Sequence, residues 1–438
     1  MHFEFNRIES RYMECHIEIF HGGQWLKAAR AHFSGVVRQG FRASSCVFEY
    51  DFDYAFADAP PPVSLRFPVD IARHTLSSWP TFLYDLVPQG NGRRFLLERL
   101  GLGDHQAADL PLLCAGAFNP IGCLRIKEAV EYYRNHVERH ASIGEGFELD
   151  DMLARGPEFH EEMMVHGMLA AGGTGVQGVA PKYLLTEAKN GRWYPDAALV
   201  DEDAAVHYIV KRPRGPKPED QKVLRNEAAY MQVAHLMGLR TQALPELRGD
   251  MLFVPRFDRQ VSGVQVRRFH QESAASIAGL AGFEFQANQF ILVDAIRRVV
   301  DSPLEETIEF IQRDILNLAM KNTDNHARNT AVQTVDGVTR LTPLFDFAPM
   351  YLDPEGIVRS ARWYHRETKK EISHWQDVLP HLLLPEAEYL EVMKSLVAFG
   401  EKLSDLPGHM ESAGVDTDII AFLRPSIAAQ QAQLSALR

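Results

Sequence analysis

Apolar and polar positions along this chain follow two rhythms. Early on they alternate, over residues 15–20 and 45–50, which predicts short half-buried strands. The run Pro60-Pro61-Pro62 reads as a turn, and a helix is predicted near residues 83–100. Beyond about residue 260 the apolar positions recur every three to four. Residues 290–300, 304–320, 386–403 and 418–437 each carry such a stripe, predicting amphipathic helices around a common core. Between the two regimes lies Val206-His207-Tyr208-Ile209-Val210-Lys211, an apolar, β-branched run that reads as a buried strand ending in a cation. Residues 225–239 return to helical spacing, with apolar positions at 229, 233, 236 and 237 and Gly238 as the stop. Three blocks follow: an N-terminal subdomain over 1–140, bounded in the polar stretch 134–145, a small lobe over 141–259 and a helical lobe over 260–438. The chain shows no internal repeat and no low-complexity tail.

Candidate chemistry concentrates in Asn322-Thr323-Asp324-Asn325-His326-Ala327-Arg328-Asn329 and in Asp346, seventeen residues after Asn329. Phosphoryl transfer needs a carboxylate near the attacking hydroxyl, plus an amide oxygen and a second carboxylate to hold Mg²⁺ against phosphate. Asp324, Asn329 and Asp346 supply that set in order. The Asp324-to-Asn329 spacing is similar to that of protein-kinase catalytic loops, and Asp346-Phe347-Ala348 stands where those enzymes have Asp-Phe-Gly, with alanine replacing the glycine. By itself such a string is also an ordinary turn composition. Lys211 reads either as a phosphate-neutralising cation or as a strand-end lysine reaching solvent. Glu227, in the first turn of the helix read at 225–239, either complements the helix dipole or pairs with Lys211.

Upstream, Gly172, Gly173, Gly175 and Gly178 place four glycines within seven residues. Such a segment lets backbone N–H groups turn toward a phosphate, or serves as a flexible linker. Lys182 follows Gly178 by four residues, which does not fit a P-loop NTPase, and no acidic residue on a following βαβ unit supports a dinucleotide fold. Lys182 reads as an anchor for the loop or for a phosphate.

Further segments extend the pattern: Pro80-Thr81-Phe82-Leu83-Tyr84-Asp85-Leu86-Val87-Pro88-Gln89-Gly90, Leu112-Leu113-Cys114-Ala115-Gly116 through Ile121-Gly122-Cys123-Leu124, Phe253-Val254-Pro255-Arg256-Phe257-Asp258-Arg259 and Arg268-Phe269-His270-Gln271-Glu272. With the glycine-rich segment and the Asp324 loop they resemble, in order, the motifs of the HipA-like serine/threonine kinases, the toxin components of bacterial toxin–antitoxin pairs. This resemblance implies an α+β fold with a two-lobed protein-kinase-like core, a helical lobe resembling that of lipid kinases, and an N-terminal α/β subdomain. It implies ATP and Mg²⁺ as cofactors, Asp324 as catalytic group, and Asn329 and Asp346 as metal ligands. It also implies nucleotide contacts at Gln177, Gly178, Val179, Ala180, Pro181, Lys182, Lys211, Pro255, Arg256, Phe257, His326, Asn329, Phe345 and Asp346, with Glu227 as the acid that pairs the lysine. The expected partners are a protein substrate such as an aminoacyl-tRNA synthetase, whose phosphorylation halts translation, and a helix-turn-helix antitoxin.

The chain departs from the family pattern at three places. Pro255 replaces a hinge glutamate, leaving only a carbonyl for an adenine contact. Ser273 stands where an aspartate is usual. Gly175 occupies the position of a self-phosphorylated serine, beside Thr174, and no serine occurs between residues 155 and 182.

Composition narrows the classes without deciding among them. The 438 residues are 46% hydrophobic and carry a formal net charge of −12, which disfavours direct nucleic-acid binding through the chain's own field. Residues 359–366 form a local basic cluster, read as a solvated face or a phosphate site. Cys15, Cys46, Cys114 and Cys123 form no metal-type spacing, so free thiols are expected. No apolar run reaches the ~18 residues of a membrane span, and the polar start is no signal peptide, so a cytoplasmic location is expected. Two other readings share the same residues: a small-molecule phosphotransferase, and a non-catalytic kinase-like regulator. Retention of Asp324, Asn329, Asp346 and Lys211 argues against the second.

Overall fold

A computed structural model describes residues 13–35, 44–139, 144–166, 181–283 and 286–437. The chain forms two compact units, one of residues 1–211 with 255–284 and one of residues 212–254 with 285–438.

The first unit opens with a five-stranded antiparallel sheet ordered His74–Leu76, Ser44–Tyr50, Gln24–Gly35, Glu14–His21, Leu124–Ile126. Alternation in the sequence becomes alternation in burial: Ser44, Cys46, Phe48 and Tyr50 point inward along one strand. The helix expected at 83–100 is broken into Leu83–Leu86 and Gly90–Leu100. Pro88 is the cause, since it lacks an N–H and forces Val87 out of the helical region, to φ −69° and ψ 125°. Helices Asp109–Gly116 and Lys127–Val137 follow. A second set of antiparallel strands in this unit comprises Trp193–Pro195, Lys182–Ala188 and Ala204–Lys211. The four cysteines are buried and free.

In the second unit the three-to-four periodicity gives the helices Gln289–Arg297, Pro303–Ala319, Glu386–Lys402 and Thr417–Ser435, within a few residues of expectation. The helix read at 225–239 begins earlier and runs Pro218–Leu236, because Pro218 sits in its first turn, where a missing N–H is harmless. Gly238 ends it at φ +86°, where the N–H of Leu239 bonds the carbonyl of Ala234 at 3.1 Å. Among the described residues no helix is long and apolar enough to cross a membrane.

Candidate active site

In the second unit the helix Pro303–Ala319 delivers the chain into residues 322–329, and the hairpin Ala331–Val335/Val338–Leu341 returns it toward Asp346. Asn322 ties the start of that loop to its end. Its Oδ1 accepts from the Asp324 N–H at 3.3 Å, while its Nδ2 donates to Asn317 Oδ1 at 2.8 Å and to the Asp346 carbonyl at 3.3 Å. The return segment is anchored as well. Arg240 holds Glu306 bidentately at 2.8 and 2.9 Å and reaches the Leu341 carbonyl at 2.9 Å, and Arg313 donates to the Thr342 carbonyl at 2.7 Å.

Asp324 is 8% exposed. Its own carbonyl accepts from Asn329 Nδ2 at 2.8 Å, which fixes the orientation of that amide. Among the described residues no donor reaches Asn329 Oδ1, although the atom is buried. A buried amide oxygen left open suits a hard cation, which takes oxygen ligands and needs only one or two carboxylates besides phosphate oxygens. Asp346, half-buried and held at a left-handed φ of +51°, is the second acid of the set. His326 Nδ1 accepts from the Arg328 N–H at 3.2 Å, which leaves the ring proton of a neutral His326 on Nε2, 3.8 Å from Asp324 Oδ1. Behind the loop, Phe347 packs on Tyr230 at 5.2 Å, and the Tyr230 hydroxyl donates to the Met320 carbonyl at 3.1 Å. The helix that carries buried Glu227 is thereby fastened to both halves of the Asp324–Asp346 segment.

The first unit holds the cationic residues. Lys182 and Lys211 oppose each other in the antiparallel register of Lys182–Ala188 with Ala204–Lys211. Lys211 is 6% exposed. Arg256 plays a different part. Its guanidinium donates to Asp258 at 2.7 and 3.0 Å, to Asp196 at 2.9 Å and to the Pro120 carbonyl at 3.2 Å. Asp196 accepts in addition from Thr186 at 2.6 Å and Asn119 at 2.6 Å. Burial alone would raise the Asp258 and Asp196 carboxyls, yet the charges facing them, chiefly Arg256, hold both below their usual range. With its side chain committed to this network, position 256 has only its backbone carbonyl to offer a ligand, as does Pro255. Gln177, Gly178, Val179 and Ala180, with Thr174 and Gly175, lie outside the described residues, whereas Pro181 and Lys182 lie within them.

The basic cluster at 359–366 is taken up inside its own unit. Arg359 pairs with Asp314 at 2.5 Å, Arg362 with Glu371 at 2.8 Å and Arg366 with Asp294 at 2.8 Å. Ser273 has a local reason: its hydroxyl and N–H both donate to Asp85, at 2.8 and 2.9 Å, where an aspartate would set two carboxylates face to face.

Residues 174–402 match the family model described as the HipA-like C-terminal domain, and residues 29–127 match the HipA N-terminal domain. The chain belongs to the HipA-like family. Its relatives include Putative kinase Y4dM of Sinorhizobium fredii, 24% identical over 320 residues that cover 69% of this chain and 70% of that protein. A second protein of that organism, Y4mE, is 26% identical over 170 residues, 36% of this chain and 40% of its own length. Among solved structures, the Shewanella oneidensis MR-1 toxin–antitoxin complex of HipA, HipB and operator DNA contains a chain that aligns at a TM-score of 0.64 and 17% identity, over 96% of this chain and 97% of that one. The likeness establishes the α+β, kinase-like HipA fold read from the motifs. Sequence reading had not assigned Asn322, Asn325 or Asp314 a role in this HipA-like site. The run Asn322-Thr323-Asp324-Asn325 was the available signal for the asparagines, and an acid within an apolar helical stripe for Asp314.

Proposed function

We propose that this chain is an ATP- and Mg²⁺-dependent serine/threonine protein kinase of the HipA type. The observation that carries the reading is the Asn329 amide, turned by the Asp324 carbonyl so that its buried oxygen stays open. Asp324 orients the acceptor hydroxyl and receives its proton as the oxygen attacks the γ-phosphorus. The bond from that phosphorus to the β–γ bridging oxygen breaks, and ADP leaves with the electron pair. Asn329 and Asp346 hold Mg²⁺, which when bound neutralises phosphate oxygens. In this proposal Lys182 and Lys211 are the phosphate-binding lysines of the first unit, where Pro255 and Arg256 have backbone carbonyls for the base and Phe257 follows them; Glu227, His326 and Phe345 are the nucleotide-site candidates of the second unit. The acceptor in this proposal is a protein such as an aminoacyl-tRNA synthetase. A helix-turn-helix antitoxin is the proposed partner, by analogy with the relative solved together with HipB and operator DNA.

Thermal unfolding with and without Mg-ATP tests the reading. Ligand binding to the native state should raise the melting temperature, and Asp346→Ala should remove most of the rise. An unmutated chain whose melting does not respond to millimolar Mg-ATP ends the proposal. Labelled ATP offered to protein extracts and, separately, to small alcohols identifies the acceptor class.

A further inference from the structure

Helix Pro303–Ala319 buries Phe310, Ile311 and Ile315 along one stripe, and Asp314 lies in the same stripe at 2% exposure. A carboxylate there is costly unless it is paired and hydrogen-bonded. What the carboxylate supplies is an acceptor for four donors from three separate segments. Oδ1 accepts from Asn325 Nδ2 at 2.9 Å, Gln289 Nε2 at 3.2 Å and Arg359 Nη2 at 2.5 Å, and Oδ2 accepts from Trp363 Nε1 at 2.8 Å. Asn325 is the residue after Asp324. Arg359 and Trp363 belong to the wall of a groove of about 510 Å³ whose lining includes Thr323, the residue before Asp324, with Val358, Ile372 and Trp375.

We propose that Asp314 is a positioning residue that sets the catalytic loop and the segment 359–363 in one geometry, and through Asn325 holds the neighbouring Asp324 in place for phosphoryl transfer. The inference rests on the kinase reading above. The loop has no sheet ladder to hold it, so its placement depends on side-chain bonds such as Asn325 to Asp314 and Asn322 to Asn317. The groove wall is stiffened from the other side, where Trp363 packs on Phe290 at 4.7 Å and Trp375 at 6.1 Å. One carboxylate therefore links the proposed catalytic loop to the segment that carries Arg359 and Trp363. Loosening it moves both, and a misplacement of about 1 Å costs roughly 100-fold in rate.

Asp314→Asn keeps the volume but sets an amide N–H₂ against donors already present. The test compares it with the unmutated chain by hydrogen exchange, by calorimetry with Mg-AMPPNP, and by ADP formation from Mg-ATP. Exchange at residues 322–329 and 359–363 should accelerate together, by roughly tenfold or more, while helix Glu386–Lys402 keeps its rate. ADP formation should fall by roughly tenfold or more with nucleotide affinity held within about twofold. Unchanged exchange at either segment, uniform loosening of the whole unit, or normal turnover overturns the proposal. Should Asp314→Asn fail to fold, Asn325→Ala must by itself loosen the loop and slow turnover, and normal turnover there overturns it equally. An unmutated chain that neither binds Mg-AMPPNP nor forms ADP overturns the kinase reading itself, and Asp314's positioning role falls with it.

Discussion

Asp324 is where a fold role and a chemical role separate. Its backbone is engaged twice, the N–H by Asn322 and the carbonyl by Asn329, and Asp324→Asn keeps both of these main-chain ties. Asp324→Asn should therefore fold and bind Mg-ATP nearly as before, while phosphoryl transfer drops by roughly two orders of magnitude or more, because positioning and electrostatics carry this chemistry. A carboxylate that merely stabilised the turn would instead cost about 1 kcal/mol of stability, with activity tracking the folded fraction. Melting temperature, nucleotide affinity and transfer rate on one preparation decide between them. A second residue-scale expectation concerns the glycine-rich segment. With glycine at 175, intact-mass and peptide analysis after incubation with ATP should place any self-phosphorylation on Thr174 or outside residues 155–182. A phosphate on neither Thr174 nor any other residue would mean that the chain lacks this switch.

At the scale of elements, two helical glycines make opposite forecasts. Gly400 lies in helix Glu386–Lys402, and a Cβ there would fall 2.7 Å from the Leu434 Cβ of helix Thr417–Ser435. Gly400→Ala should destabilise by about 1–3 kcal/mol, since one packed helix must move off the other. Gly408, exposed in helix Leu406–Ala413, has nothing within 4 Å of the same construction. Gly408→Ala should stabilise by about 0.5–1 kcal/mol through helix propensity and a less free unfolded chain. Chemical denaturation of both variants checks the pair, and equal signs would refute the packing argument. Long periodic helices such as these were legible in the sequence because the apolar stripe is a local signal. The break at Pro88 was legible in principle from the proline alone. By contrast, the interleaving of residues 255–284 with the first unit depends on buried bonds such as Arg259 to the Gly122 carbonyl at 2.6 Å, across 137 positions. No local pattern encodes such a pairing. The proposed catalytic motif could be named from the sequence for a related reason: its residues lie close together along the chain, whereas Asp314 meets Arg359 and Trp363 more than forty positions away.

For the molecule as a whole, buried acids in the first unit pull stability in opposite directions with pH. Asp196 and Asp258 are held down by the charges facing them, so their contribution is present above the ordinary carboxylate range and lost in acid. Glu272 behaves the other way. Burial pushes its carboxyl from 4.5 to about 7, against hydrogen bonds from Ser276 at 2.6 Å, the Leu65 N–H at 2.8 Å and Ser64 at 2.8 Å, with Asp85 adding to the rise. Between pH 4.5 and 7 the folded chain therefore keeps a proton that the unfolded chain releases. The stabilisation is full below the unfolded value and is lost as pH climbs through the folded one. A change of this size corresponds to about 3 kcal/mol. Buried His270, whose ring burial holds below its usual pKa, titrates with the opposite slope, so the raw pH profile of the chain mixes the two. The difference between the unmutated chain and Glu272→Gln isolates the acid, because glutamine loses hydrogen-bond quality equally at every pH. Melting followed from pH 4.5 to 8 should show Glu272→Gln most inferior at the acid end, with the gap narrowing as pH rises. A gap that stays constant across the window would mean that Glu272 is ionised in the folded chain throughout, its three donors having outweighed its burial.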